Sequence, residues 1–354
     1  MNILIISTGG TISQKPNEDG VLVSSEASYS GSDFVRILRY KSVKFGVTDI
    51  REKTVLNKDS ANMSMGDWQT IVNAIVEEYD NYDAFIVTHG TETMGYTTAA
   101  VSFALENLGK PVCFTGSQAA LGAPGSDSIM NLENCLRVIA LRRDLVGVFL
   151  VFGTQIVSGT RVKKQTEFDY DAFKCSRRFR SLGVLGSNII YNEPEIAEHL
   201  VVIQKPAKTK KDLVIKNRFN DGVVILSEFP GLKNEFIIDL IEKSNARGII
   251  LRSYGSGNPN VGVEDAEFYN LRLAFKFLQQ KKIPLVITSQ AHTGVACMSI
   301  YEPSFHAKEL GAIPGKDISI EAAVVKLSWL LGQDKTYEQI HTLMQENLRG
   351  EIYL

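Results

Sequence analysis

Threonines, a carboxylate and lysines stand beside glycines at the ends of several short apolar runs in this 354-residue chain. Thr8-Gly9-Gly10-Thr11 closes the first run and Thr88-His89-Gly90-Thr91-Glu92-Thr93 closes a later one. Gly116-Ser117-Gln118 follows another, and Thr154-Gln155 precedes Arg161, Lys163 and Lys164. A threonine hydroxyl is a weak nucleophile at neutral pH and needs a base, or a network that takes its proton. Lys164 would serve if desolvation or another cation made it give up its proton, and Glu92 would hold it in place. Each residue also has a plainer reading: Lys164 as a surface lysine, Thr91 and Glu92 as a helix N-terminus with its cap.

The Gly9-Gly10 turn has three readings. Glycines admit positive φ and close backbone approach, so the turn could cradle a phosphate, serve only as a structural turn, or carry a nucleophile. In the last case exposed peptide N–H groups would stabilise an oxyanion, as amide hydrolysis requires. The chain has no GxxxxGK[ST] and no GxGxxG after a strand, which weighs against a nucleotide site.

These residues need a scaffold. Runs at 3–7, 84–88, 111–115 and 146–152 are rich in Val, Ile and Phe, as expected of parallel strands covered on both faces. Helical patterns at 67–80, 94–108 and 131–141 alternate with them, and Ser64 stands where it would cap the first. Alternation of this kind predicts an α/β fold with a doubly wound, mainly parallel sheet, whose ligands sit beyond the carboxyl ends of the strands. The pattern fades over 193–220, where Pro194, Pro206 and a lysine-rich run suggest an exposed linker. It resumes with strands at 223–227, 248–252 and 284–289 and helices at 234–243, 264–280, 320–331 and 336–348. The expected division is a catalytic α/β domain over 1–192, a linker over 193–220, and a smaller C-terminal α/β domain over 221–354.

Bulk composition excludes several function classes. Thirty-eight basic and 40 acidic side chains give a net charge of −2, so nothing points to nucleic acid or an anionic membrane as partner. The four cysteines make no CxxC and the five histidines no HExxH, so neither a metal site nor a disulfide framework is expected. The N-terminal run is too short for a signal peptide and no run approaches a membrane span, which leaves the cytoplasm as the expected location.

Residues 6–13 resemble the first signature of the asparaginase/glutaminase family, and residues 86–94 resemble the second. The likeness continues through 105–118, 250–258 and 346–351, and is similar to the type I, cytoplasmic branch of bacterial L-asparaginases. The resemblance implies a hydrolase that releases ammonia from L-asparagine through a threonine-bound acyl-enzyme, without cofactor or metal. Thr11 matches the nucleophile, Thr91 the second catalytic threonine, and Lys164 with Glu92 the lysine and acid that complete the set. Ser60 matches the serine that binds the substrate α-carboxylate. Ala61 and Gly90 fall at substrate-binding positions, and Asn258 matches an asparagine that often serves a neighbouring subunit's site. The family pairs subunits tightly, which implies a homodimer or homotetramer.

Some positions depart from the family pattern. Glu92 stands for an aspartate, Val21 for a loop tyrosine and Ala61 for a polar side chain; Tyr29 could replace the tyrosine only at a different spacing. The loop at 122–127 lacks its usual arginine, and Arg177, Arg178 and Arg180 could meet an anionic substrate or form a solvated basic face. Type I relatives can carry a regulatory asparagine site, for which Arg252 matches and Ala291 replaces a cysteine, so retained regulation is not expected. Because the departures gather at the substrate end of the pocket, D-asparagine, an N-substituted amide or a peptide-borne amide are alternative substrates. A catalytically weak binding paralogue is a further alternative. An ammonia-passing amidotransferase component is not expected, because the chain starts at its first strand.

Overall fold

The structure is a computed structural model that describes residues 1–19, 21–23, 29–176, 180–203, 205–262, 270–291 and 293–353. It divides into two compact units, one comprising Met1–Cys175 and the stretch that ends at Asn217, the other comprising Ser176 and the stretch that begins at Arg218.

The first unit is built on an eight-stranded sheet. Its strands are β1 (Asn2–Gly9), β2 (Asp49–Lys58), β3 (Ala84–Thr88), β4 (Pro111–Thr115), β5 (Gly147–Phe152) and β6 (Gln155–Ser158). Val162–Lys164 (β7) and Phe173–Cys175 (β8) form a separate antiparallel pair, and Gly183–Leu185 (β9) and Ile189–Tyr191 (β10) complete the main sheet. The spatial order is β10-β9-β6-β5-β4-β3-β1-β2, with β2, β1, β3, β4 and β5 all parallel. From β1 the chain crosses through α1 (Gly31–Ser42) to β2 on one side, then through α2 (Met65–Glu77) to β3 on the other. The strand order therefore reverses at β1, and the crevice between the carboxyl ends of β1 and β3 is the topological switch point where such sheets bind ligands.

Every residue of β3 and β4 is buried, which is why continuous apolar runs made them legible. Burying Ile5 or Ile86 fully contributes about 1.5–3 kcal/mol relative to exposure. One face of the sheet packs on α1 and α4 (Ser128–Leu141), through Phe34, Leu38, Leu132 and Leu136. On α2, Ser64 is the cap: its hydroxyl accepts from the Asp67 N–H while the Asp67 carboxylate accepts from the Ser64 N–H at 2.7 Å. The helix expected over 94–108 ends earlier, as α3 (Met94–Ala104), because Leu105–Glu106 leave it to pair with Val214–Ile215.

The sequence pattern did not announce α1 or the strands β6–β10, and two further features of this unit also escaped it. Strand β2 is the sheet edge, and its Arg51, Glu52 and Lys53 hide the strand pattern, because a solvated edge needs no apolar run. Within 193–217, α5 (Glu193–Val201) seats Ile196 in the core beside α1 and α4.

The second unit holds a four-stranded parallel sheet in sequential order: β11 (Val223–Ser227), β12 (Gly248–Ser253), β13 (Leu285–Ser289) and β14 (Ala312–Pro314). Helices α6 (Asn234–Lys243) and α7 (Arg272–Gln280) share one core cluster with it. Next come α8 (Glu302–Glu309) and α9 (Ile320–Gly332), whose α9 packs on β11 and β12, and then α10 (Tyr337–Leu343). The expected start of α7 falls on residues 263–269, outside the described residues. This mixed α/β architecture, a large mainly parallel sheet and a smaller parallel one, is the fold class the alternation implied.

Candidate active site

The site is assembled where three loops meet at the switch point. Gly9 ends β1 and Gly10 follows it, with φ of 97° and 82°, a region that side-chain-bearing residues rarely adopt. Neither has room for a Cβ: one on Gly9 would strike the backbone of Lys58, and one on Gly10 the backbone of Gly90. Gly90 in turn lies against Ser60. The glycines thus let the β1, β2 and β3 loops nest backbone to backbone, with Thr11 and Thr91 each following one of the touching glycines. The Gly10 N–H donates to the Lys58 carbonyl at 3.1 Å, so this donor is taken.

Lys164, at the end of β7, reaches both members of the second loop. Its Nζ lies 2.9 Å from Thr91 Oγ1 and 2.6 Å from Glu92 Oε1. As an ammonium it donates to both; as an amine it accepts from the Thr91 hydroxyl. Thr91 is buried, whereas the Glu92 side chain is 59 % exposed, so the ion pair orients Lys164 more than it stabilises the fold. Ser60, 2 % exposed, accepts from the Glu92 N–H through Oγ at 3.1 Å and from the Thr93 hydroxyl through its carbonyl at 2.7 Å. With its oxygen so fixed, the Ser60 O–H remains a donor.

Beneath this loop lies His89, wholly buried. Its Nδ1 is 2.7 Å from the Gly90 carbonyl, which can only accept, so Nδ1 carries the proton and Nε2 accepts from Thr97 Oγ1 at 2.9 Å. Burial pushes its pKa down to about 4, keeping the ring neutral. Holding the Gly90 carbonyl fixes the following trans peptide, whose Thr91 N–H then points away from the imidazole. Sequence reasoning quoted His89 without a role; nothing local marks it as the clamp of Gly90.

The touching loops and Lys164 all lie within the first of two family matches. Residues 2–197 match the family described as asparaginase, N-terminal, and residues 222–344 match the glutaminase/asparaginase C-terminal domain. The chain belongs to the asparaginase family. It is an amidohydrolase. An L-asparaginase of Thermococcus kodakarensis is 31 % identical over 99 % of both chains. A solved structure of the thermostable L-asparaginase from that organism aligns with a TM-score of 0.83 at 29 % identity, covering 100 % of each chain. L-asparaginase 1 of Escherichia coli strain K12 is 32 % identical, over 99 % of this chain and 98 % of that one.

Other positions singled out in this asparaginase-family chain fall as follows. Ala61 is exposed, its N–H bound to Asp59 Oδ1 at 2.8 Å. Val21 is 58 % exposed. The Tyr29 N–H donates to the Ser13 carbonyl at 2.7 Å, which ties it to the Thr11 turn, while its ring lies under Lys15 and its hydroxyl against Gly122. Asn258 belongs to the second unit, where Ser256 and Ser304 hold its side chain. Arg177 and Arg178 lie outside the described residues. Among the described residues, the buried hydroxyl of Ser117 has no hydrogen-bond partner.

Proposed function

We propose that the protein hydrolyses the side-chain amide of L-asparagine to L-aspartate and ammonia, with Thr11 as nucleophile. The observation that carries this reading is the contact of Lys164 with Thr91 and Glu92, on a loop whose Gly90 touches the Gly10-Thr11 turn. Thr11 Oγ1 bonds to the amide carbon as the C–N bond breaks, and its proton leaves on ammonia. Water then attacks the ester, giving up a proton through Thr91 to Lys164 in its amine form; the proton returns to Thr11 Oγ1 as L-aspartate departs. Glu92 holds Lys164 and meets the substrate ammonium, and Ser60 donates to the α-carboxylate. The Thr91 N–H, turned by the His89 clamp, is a donor for developing negative charge. No step calls for a cofactor.

A second reading keeps the chemistry on another amide. Ala61 and Val21 offer no polar group, and Glu92 is one methylene longer than aspartate, all at the substrate end. Self-association into a dimer or tetramer accompanies the proposal, supported by exposed Ile300, Tyr301 and Phe305 in the second unit and checked by sedimentation. A cytoplasmic location fits the four free cysteines.

The test is ammonia release at neutral pH from L-asparagine, L-glutamine, D-asparagine and N-substituted or peptide-borne amides, with Thr11→Ala as control. Release from L-asparagine above the others, lost in Thr11→Ala, is the expected result. Turnover of another amide alone supports the second reading. Full activity of Thr11→Ala sinks the nucleophile assignment, and silence across the panel leaves a binding paralogue.

A further inference from the structure

In the second unit, β11 and β12 run parallel and end at Ser227 and Ser253. The next residue on each, Glu228 and Tyr254, lines a 260 Å³ cavity together with Phe229, Leu232, Asn260 and Leu271. This is the carboxyl edge of a parallel sheet, the side on which α/β proteins bind ligands.

Glu228 is the unusual member. It is 3 % exposed, yet among the described residues no cation pairs with it. Its Oε2 accepts from the Ser253 hydroxyl at 2.6 Å and its Oε1 from the Asn260 N–H at 2.6 Å. Its backbone is pinned as well: the N–H donates to the Arg252 carbonyl at 2.9 Å, and its carbonyl accepts from Gln290 Nε2 at 2.6 Å. A carboxylate offers about four acceptor positions, so roughly half remain for a ligand. Burial without a counter-charge pushes its pKa above the usual carboxylate range.

We propose that this cavity is a binding site for a small organic amine, held by its primary ammonium on Glu228 with its apolar body between Phe229, Leu232 and Leu271. An ammonium supplies the missing positive charge and N–H donors for the open lone pairs. The rings of Phe229 and Tyr254 add cation–π attraction. At 260 Å³ the cavity lies just below the usual range for drug-sized ligands, so the occupant is no larger than an amino acid. Among the described residues no lysine or arginine lines the cavity, so no cation offsets the charge of an α-carboxylate there; an amine without one is the class that fits.

The test is calorimetric titration of the full chain with n-butylammonium, 1-butanol and zwitterionic norvaline. The amine binds and the isosteric alcohol does not; norvaline binds at least tenfold more weakly. Glu228→Gln loses at least tenfold in amine affinity, and Phe229→Ala, at an exposed position, weakens it several-fold without disturbing the fold. Equal response to amine and alcohol, unchanged affinity in Glu228→Gln with wild-type affinity in Phe229→Ala, or no amine binding at all overturns the site and leaves Glu228 as a brace between Ser253 and Asn260. Norvaline binding as tightly as the amine overturns the assignment of ligand class.

Discussion

Gly10 and Gly90 meet backbone to backbone, with no space for a side-chain carbon between them. One follows β1 and the other follows β3, so this contact joins the two loops that carry Thr11 and Thr91. Replacing Gly10 by alanine would put a Cβ into Gly90 and strain a residue whose φ is 82°. The strain alone costs about 1–2 kcal/mol. We expect Gly10→Ala to lower melting temperature and to cut turnover at least a hundredfold, since displacing a reacting group by about 1 Å has that effect. Turnover within twofold of wild type would show that the contact is not needed.

Lys164 makes the Thr91 and Glu92 contacts with one atom. Lys164→Met keeps most of the side-chain volume and removes both. kcat should fall on the order of a hundred- to a thousandfold with little change in stability, because the Glu92 partner is exposed. Lys164→Arg should not rescue, since a guanidinium stays protonated. Steady-state kinetics with a thermal melt checks both.

Glu92 spends its extra methylene on reaching Lys164 at 2.6 Å. Glu92→Asp draws the carboxylate back by about 1 Å, a displacement large enough to alter rate. We expect turnover of free L-asparagine to rise relative to N-substituted amides. A lower or unchanged ratio would mean the pocket is built around glutamate.

His89 gives a pH signature. Its pKa is about 4 in the folded protein, against about 6.5 when unfolded. Between those values the unfolded chain binds more protons, so stability rises with pH through the window. The contribution is fully present above about pH 6.5 and is lost as pH falls toward 4, on the order of 3 kcal/mol. His89→Gln should flatten that part of the curve, read from urea unfolding at several pH values. Buried His199, also shifted downward by desolvation, keeps its share in the variant.

The C-terminal tail hangs on a wholly buried pair, Lys326 Nζ and Glu351 Oε1 at 2.6 Å. Glu351 also accepts from the Leu348 and Arg349 N–H groups, and Lys326 donates to the Met344 and Glu346 carbonyls. Lys326→Met leaves Glu351 buried without its cation, which costs about 3–5 kcal/mol. Lys326→Met with Glu351→Leu should recover much of that. Proteolysis near residues 345–353 should rise in the single variant and fall back in the double one.

The sequence by itself determined what depends on local pattern. Continuous apolar runs specified β3 and β4, because a strand covered on both faces has no polar side to interrupt it. Ser64 and Asp67 specified the start of α2, because a cap is satisfied within one turn. Threonines beside glycines at strand ends pointed to one edge of the sheet, and the signatures named the family. What only the tertiary structure decided depends on partners distant in sequence. Lys164 meets Thr91 across 73 residues, and Ser60 meets Glu92 across 32. β2, which delivers Ser60, carries charges that mask it because it is a sheet edge. Glu228 reads as one more surface glutamate until β11 and β12 pair in register and their ends close over it. Such contacts are set by strand order and register, which come from the packing of the whole sheet rather than from neighbours along the chain.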